Sequence, residues 1–406
     1  MYLTSTTNQK NLPRYFSQVF EMAATMNTGI LDFVLPDGRV FRANGKNPGP
    51  VAQVDIHNPE VFARLIREGD LGFSDAYLDS WWSTPDLQSF MDWVHAENDE
   101  LYDGFPGMSL VRTFEKIRFW LQSNSKRQAR KNISHHYDLG NDFYRLWLDN
   151  TMTYSSALFT TGQEDLEAAQ IAKYASMVDQ MGVKEGDHVL EIGCGWGGFA
   201  EYAAKERGLK VTGLTISKEQ LEFSEKRIKN KGLEDKVDIK LQDYRDEKGR
   251  YDGIASIEMF EAVGQKYWPV YFDTIKKCLH PGRQATLQII TIQEDRWDVY
   301  QRGVDFIQKY IFPGGMLPSP NVLKSEVQNA GLSVVKSIEF GQSYSQTLRR
   351  WHDTFNAKWD HAAELGFDDR FRRMWNFYLT SCAATFESGN CDVTQITIAN
   401  SDDLRA

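Results

Sequence analysis

Glu191-Ile-Gly-Cys-Gly-Trp-Gly197 sets an acidic residue ahead of three alternating glycines. Glycine lets the chain turn sharply and lets a ligand approach the backbone with no Cβ in the way. A bare glycine turn also serves as a plain link from strand to helix, so the spacing alone is weak. It lacks the third-glycine spacing of the dinucleotide fingerprint. An acid before Gly193 suits a cationic group, such as the amino group of a methionine moiety, better than a pyrophosphate. His135 and His136 are adjacent, so they do not share a helix face, and no third ligand accompanies them. A structural or cofactor-lid role is expected for them, not a metal site. The four cysteines, Cys194, Cys278, Cys382 and Cys391, form no CxxC pair and no cluster with zinc-ligand spacing. They read as reduced thiols.

A glycine turn of this kind needs a strand before it and a helix after it. His188 to Ile192 is a short apolar run, and Gly198 to Arg207 has helical spacing. The alternation continues: strand Leu209 to Leu214, helix Lys218 to Lys231, strands Val237 to Leu241 and Gly253 to Ile257. Alternating strands and helices imply a parallel sheet with helices on both faces, which binds ligands at the carboxyl ends of its strands. Ahead of this region a smaller α+β unit is expected. Ile30 to Arg42 reads as a hairpin about a Pro-Asp-Gly turn. Asn58-Pro59 opens a helix as N-cap and first helical residue. Thr84-Pro85 repeats the signal before a helix at 86–94. The fold class is therefore α/β, a Rossmann-like doubly wound sheet preceded by a smaller α+β domain. The domains are expected at 1–125 and 126–406, with the linker around Ser123 to Arg127.

The 406 residues are 41% hydrophobic and 25% charged, the mix of a soluble globular protein. No apolar run reaches the ~20 residues of a membrane span, and no secretory signal opens the chain. A cytoplasmic location is expected, with any membrane contact peripheral. The net charge of −10 argues against nucleic acid as a partner. One local basic stretch stands out: Arg112, Lys116, Arg118, Lys126, Arg127, Arg130 and Lys131, interleaved with Phe114, Phe119 and Trp120. It reads either as a solvated linker helix or as a membrane-docking segment, each charge contributing ~1 kcal/mol near an anionic surface.

The glycine turn, together with Val211 to Gln220, resembles the cyclopropane fatty acid synthases and related mycolic acid methyltransferases. The resemblance extends through His135 to Tyr144, Thr153-Tyr-Ser155, Gln242 to Arg245, Met259 to Gly264 and Tyr310 to Pro318, over roughly residues 130–400. It is looser at Gly69 to Leu78. It implies S-adenosyl-L-methionine as cofactor. By this resemblance Tyr154 and Ser155 contact the methionine part, as do Gly193, Gly195 and Gly197 behind Glu191. Many methyltransferases end their second strand with an acid for the ribose; similar family members use a Thr and a Gln instead, and Thr215 and Gln220 match these. Gln242, Asp243 and Tyr244 lie where adenine is expected. Family members bind bicarbonate as a base in a pocket of Cys, Glu, His and Tyr. Glu261 and Tyr344 match two of these, while Ser156 replaces the cysteine and Gln288 the histidine. Ser and Gln can both donate to an oxyanion, so the pocket either still holds bicarbonate or is rebuilt.

The chemistry implied is demanding. An isolated alkene is a poor nucleophile, and its methylation leaves a carbocation. An apolar tunnel, exclusion of water and a base are required, and aromatic faces can stabilise the cation. Tyr310, Phe312, Tyr344, Trp351, Phe355 and Tyr378 are candidates. The expected activity is cyclopropanation of an unsaturated phospholipid acyl chain at the membrane surface. The alternative is the same methyl transfer ending in a methylene or methyl-branched chain. A small-molecule N-methyltransferase and a lipid-binding protein with a dead cofactor site are the rival classes. The resemblance also makes a homodimer plausible.

Overall fold

The computed structural model describes residues 2–96, 128 and 139–403. The seven cations of the basic stretch, the expected linker and His135 and His136 lie outside the described residues. Among the described residues no helix is long and apolar enough to cross a membrane. The chain forms two compact units, and neither is one continuous stretch. The first takes in residues 2–96 with 302–311 and 359–388; the second takes in 139–301, 312–358 and 389–403.

The first unit carries a five-stranded sheet: β1 (Tyr2–Leu3), β2 (Thr28–Val34), β3 (Val40–Asn44), β4 (Asn47–Ile56) and β5 (Trp82–Ser83), in the order β1-β3-β2-β4-β5. The Pro-Asp-Gly turn forms the expected hairpin. Gly38 takes φ +85°, and β2 and β3 pair antiparallel from Val34–Val40 to Ile30–Asn44. Phe16, Phe20, Phe33, Phe41 and Phe62 pack ring against ring beneath the sheet. The helix expected from Asn58 starts later and runs further, over Val61–Leu78, broken at Gly69 (φ +68°). Asn58 instead closes a turn, its side-chain oxygen accepting from Glu60 N–H at 3.0 Å. Asp86, not Thr84, caps the next helix, accepting from Ser89 N–H at 3.1 Å.

The second unit holds a seven-stranded sheet made of β6 (His188–Ile192), β7 (Lys210–Thr215), β8 (Val237–Leu241), β9 (Tyr251–Ile257), β10 (Leu279–Ile292), β11 (Leu332–Glu339) and β12 (Cys391–Asn400). Their order is β11-β12-β10-β9-β6-β7-β8, and β12 runs antiparallel to both of its neighbours. The remaining neighbours are parallel. Strands buried on both faces need continuous apolar runs, and β6 is buried from Val189 to Ile192. Helices Leu166–Met181 and Gly198–Glu206 cover the sheet with Tyr174, Met177, Phe199 and Ala203 against Val189, Val211 and Ile239. Asp165 caps the first of these helices through Ala168 N–H, and Gly182 ends it in the left-handed region. The strand order reverses between β6 and β9, which opens a crevice at their carboxyl ends.

Candidate active site

The glycine turn lies in that crevice. Gly193, Gly195 and Gly197 all have positive φ, +81°, +52° and +80°. The Gly193 and Cys194 N–H groups both donate to the Leu214 carbonyl, at 3.0 and 2.9 Å, which ties the turn to the end of β7. A Cβ at Gly193 would lie 2.8 Å from Met259 Cγ. Gly193→Ala therefore meets both strain and a close neighbour. A non-glycine residue held at positive φ costs about 1–3 kcal/mol, and the variant is expected to lose that much stability and to bind cofactor more weakly. Differential scanning fluorimetry with and without cofactor checks this; an unchanged midpoint in both states counts against it.

Glu191, the fourth residue of β6, is buried, and its Oε2 has no hydrogen-bond partner among the described residues. Burial pushes its carboxyl up to about 8, against the opposing pull of Lys173 and Arg227. Lys173 is the residue that the sequence reading missed. It sits on the helix Leu166–Met181, fully buried, with Nζ donating to Ser155 Oγ at 2.6 Å. Burial lowers its ammonium to about 8, while Glu258, Asp149 and Glu191 pull it back up. Ser155 is held a second time, its carbonyl accepting from Gln170 Nε2 at 2.9 Å. The segment carrying Tyr154 and Ser155 is thus fixed from below by two buried polar side chains of one helix.

Beyond β7, Thr215 Oγ1 donates to Gln220 Oε1 at 2.8 Å, and both residues are buried. Ser217 caps the helix Lys218–Asn230 through Gln220 N–H, which places Gln220 in its first turn. Gln242 N–H donates to the Thr215 carbonyl at 2.9 Å, so the two segments meet. The Gln242 side chain turns away to Glu247 Oε2, at 2.8 Å. Asp243 is buried and paired with Arg245, NH2 to Oδ2 at 2.6 Å. Tyr244 is half-buried; its hydroxyl is buried without a partner among the described residues, and burial raises its pKa.

At the end of β9 the four pocket residues named by the resemblance gather around a fifth, Glu258. Ser156 and Gln288 are fully buried and do come together: Gln288 Nε2 lies 3.3 Å from the Ser156 carbonyl. Both, however, serve Glu258. Its Oε1 accepts from Ser156 N–H and from Gln288 Nε2, each at 2.8 Å, and Tyr344 donates to the same carboxylate. Glu261 lies beside this group, with Oε1 accepting from Ile290 N–H at 2.5 Å and a buried Oε2 without a partner among the described residues. Burial, then the Glu258 charge, raise Glu261 to about 8. Glu258 was legible only as a polar residue after a strand; its φ of +48° is the structural sign that it is special.

Aromatic rings line this part of the second unit. Tyr154 lies 5.4–6.4 Å, centroid to centroid, from Trp147, Trp351 and Phe312, and Trp351 lies 6.0 Å from Tyr344. Phe355 packs on Phe143 at 6.2 Å. Two of the aromatic candidates, Tyr310 and Tyr378, belong to the first unit. There the Tyr310 hydroxyl donates to Asp75 at 2.6 Å and Tyr378 packs on Trp375.

A sheet of this topology, with a glycine turn at its reversal point led by a buried acid, is that of the S-adenosylmethionine-dependent methyltransferases. The family model for mycolic acid cyclopropane synthetase matches residues 124–396, and the chain belongs to that family. It is 39% identical over 353 residues to the tuberculostearic acid methyltransferase UfaA1 of Mycobacterium tuberculosis, covering 84% of this chain and 82% of that protein. It is 36% identical over 354 residues to the cyclopropane-fatty-acyl-phospholipid synthase of Escherichia coli K12, covering 87% of this chain and 88% of the relative. Among solved structures, the mycolic acid cyclopropane synthase CmaA1 complexed with SAH and CTAB is 31% identical, with a TM-score of 0.62. That alignment covers 66% of this chain and 97% of CmaA1.

Proposed function

We propose that this methyltransferase adds a methyl group to the double bond of an unsaturated phospholipid acyl chain and closes a cyclopropane ring. The observation that carries the reading is the juxtaposition of a carboxylate, Glu258, with the Tyr344 hydroxyl and an aromatic wall of Tyr154, Trp351 and Phe312. A cationic intermediate in an acyl chain needs those two things: ring faces for its charge and a base for its proton. The 36% identity to the E. coli synthase supports the same substrate class.

S-adenosyl-L-methionine, when bound, would supply an electrophilic methyl group to the alkene. The residues present fit this cofactor. Glu191 offers an unpartnered buried carboxylate oxygen for a cationic group. Gly193 and Gly197 shape the turn against Met259 and Ser224, Gly195 leaves open space where a Cβ would stand, and Tyr154 and Ser155 lie on a segment held by Lys173. Thr215 and Gln220 present buried polar groups for the ribose, and Gln242, Asp243 and Tyr244 follow for the base. Trp351 is buried and Tyr154 and Phe312 are half-buried, so bound cofactor and acyl chain would complete a wall against water. Substrate in a bilayer requires peripheral docking, and a homodimer is compatible with the resemblance.

The second reading ends in a methylene or methyl-branched chain, and the 39% identity to a tuberculostearic acid methyltransferase favours it. The two products of proton loss have equal mass, so mass alone does not separate them. Expression in a host without such an activity, followed by proton NMR of its fatty acids, is expected to give upfield ring protons. Vinylic or branched-methyl signals without ring protons would replace the first reading by the second. Methylation of soluble amines with none of dispersed phospholipid would remove both.

A further inference from the structure

The bicarbonate pocket implied by the resemblance is not available in this chain. Ser156 Oγ donates to the Ala157 carbonyl at 2.9 Å, inside its own backbone. The Ser156 N–H and the Gln288 amide are already donated to Glu258. Gln288 cannot turn to serve another ligand, because its Oε1 accepts from Gln395 Nε2 at 3.0 Å. Gln395 is in turn fixed by Ser176 and Gln180, which donate to its Oε1 at 2.6 and 2.7 Å. A second anion would meet the Glu258 carboxylate, and like charges in a dry site repel strongly.

From this arrangement we infer that Glu258 is itself the catalytic base, its carboxylate standing where relatives would bind a separate anion. The inference rests on the reading of the reaction given above. Four observations converge on it. The donors at 156, 288 and 344 all point at one carboxylate. The Glu258 N–H donates to the Gln288 carbonyl at 2.8 Å, so backbone and side chain are both tied to β10. Glu258 has φ +48°, a conformation that non-glycine residues adopt at a cost and that concentrates at functional sites. Its chain neighbour Met259 packs on the Gly193 turn, and Glu258 as a residue is half-buried.

The partners of the two carboxyls also differ. Glu261 receives one N–H, and burial with the Glu258 charge raises it to about 8. Burial raises Glu258 too, while Lys173, Gln288, Ser156 and Tyr344 all favour its ionised form. Glu258 thus gathers the partners that support a carboxylate, and Glu261 does not. In the step assigned to it, Glu258 takes a proton from the newly added methyl group. The released C–H electron pair closes onto the cationic chain carbon and gives the ring. If a hydride has first shifted, the same pair forms a methylene double bond. In either case Glu258 becomes a neutral acid and later returns its proton to solvent.

The test uses the full-length enzyme with vesicles of dioleoyl phospholipid and methyl-labelled cofactor. Wild-type turnover is expected to be the same in carbon-dioxide-free buffer as in buffer with added bicarbonate. Glu258→Gln is expected to lower kcat by about 10²–10⁴-fold while cofactor Kd changes less than about threefold. Glu258→Gly leaves space, and added formate or bicarbonate is expected to restore part of its rate. A wild-type rate that falls without bicarbonate and recovers with it overturns the inference. So does full activity in Glu258→Gln, or loss of cofactor binding in both variants with no rescue by small anions, which marks a structural residue. A wild-type enzyme that leaves the alkene untouched overturns the proposed function, and this inference with it; active wild type beside active Glu258→Gln overturns the inference alone.

Discussion

Lys173→Met is expected to destabilise the protein by about 3–5 kcal/mol, the cost of removing one partner from a buried charge cluster. Lys173 is the cation that faces Glu258, Asp149 and Glu191, and it has no solvent to replace it. Methionine keeps most of the volume, so the loss reports charge and the Ser155 hydrogen bond, not a cavity. The deficit should depend on pH. Burial holds the Lys173 ammonium below its ordinary value, at about 8, so its charge is present below pH 8 and is lost above it. Between pH 8 and the ordinary lysine range the unfolded chain holds a proton that the folded protein has shed, so wild-type stability rises with pH there and the gap to the variant widens. It narrows in acid, where the carboxylates take up protons in both proteins. Urea titrations at pH 5, 7.5 and 9.5 should place the smallest gap at 5 and the largest at 9.5. Equal midpoints at pH 7.5 would remove Lys173 from the account of the site. Turnover should fall as well, because the variant frees Ser155 Oγ and leaves Glu258 without its cation.

Lys173 also marks where sequence reading ended. The glycine turn and its flanking strand and helix were legible because their signals are local: φ-permissive glycines, an apolar run, a helical period. The sheet alternation from β6 to β9 was legible for the same reason. Lys173 reads as an ordinary polar position on a helix, since nothing within a few residues says that the helix face carrying it is buried. Glu258 was hidden twice. Its partners lie 102 residues away at Ser156 and 30 away at Gln288, and its neighbour Glu261 matched the motif more closely. The resemblance named Ser156 and Gln288 as departures; only the fold reveals that both departures serve one carboxylate. The unit organisation was hidden for a related reason. Residues 302–311 and 359–388 belong with the N-terminal sheet by packing, and linear order does not encode that. The late start at Val61 and the cap at Asp86 reflect competition among neighbouring turn-formers, Asn58 and Thr84, whose side chains satisfy nearby N–H groups before the helix begins.

The acid that opened the reading carries the other large effect. Glu191→Gln is expected to weaken cofactor binding by about 30-fold, or ~2 kcal/mol, the lower end for losing one side of a buried charged contact. The carboxyl of the free enzyme is pushed up to about 8 by burial, so at pH 7 it is mostly protonated. A cationic ligand group favours the carboxylate. Binding near pH 7 must then release a proton, and affinity should climb as pH rises toward 8 and level above it. Calorimetry in buffers of different ionisation enthalpy would detect the released proton directly. In Glu191→Gln both the buffer dependence and the pH slope should vanish, while helix content stays unchanged. A wild type with no proton release and a flat profile from pH 6 to 9 would mean that Glu191 meets no cationic group. In that case its unpartnered oxygen answers a structural need, and the weight of cofactor recognition moves to Tyr154, Ser155 and the Thr215–Gln220 pair.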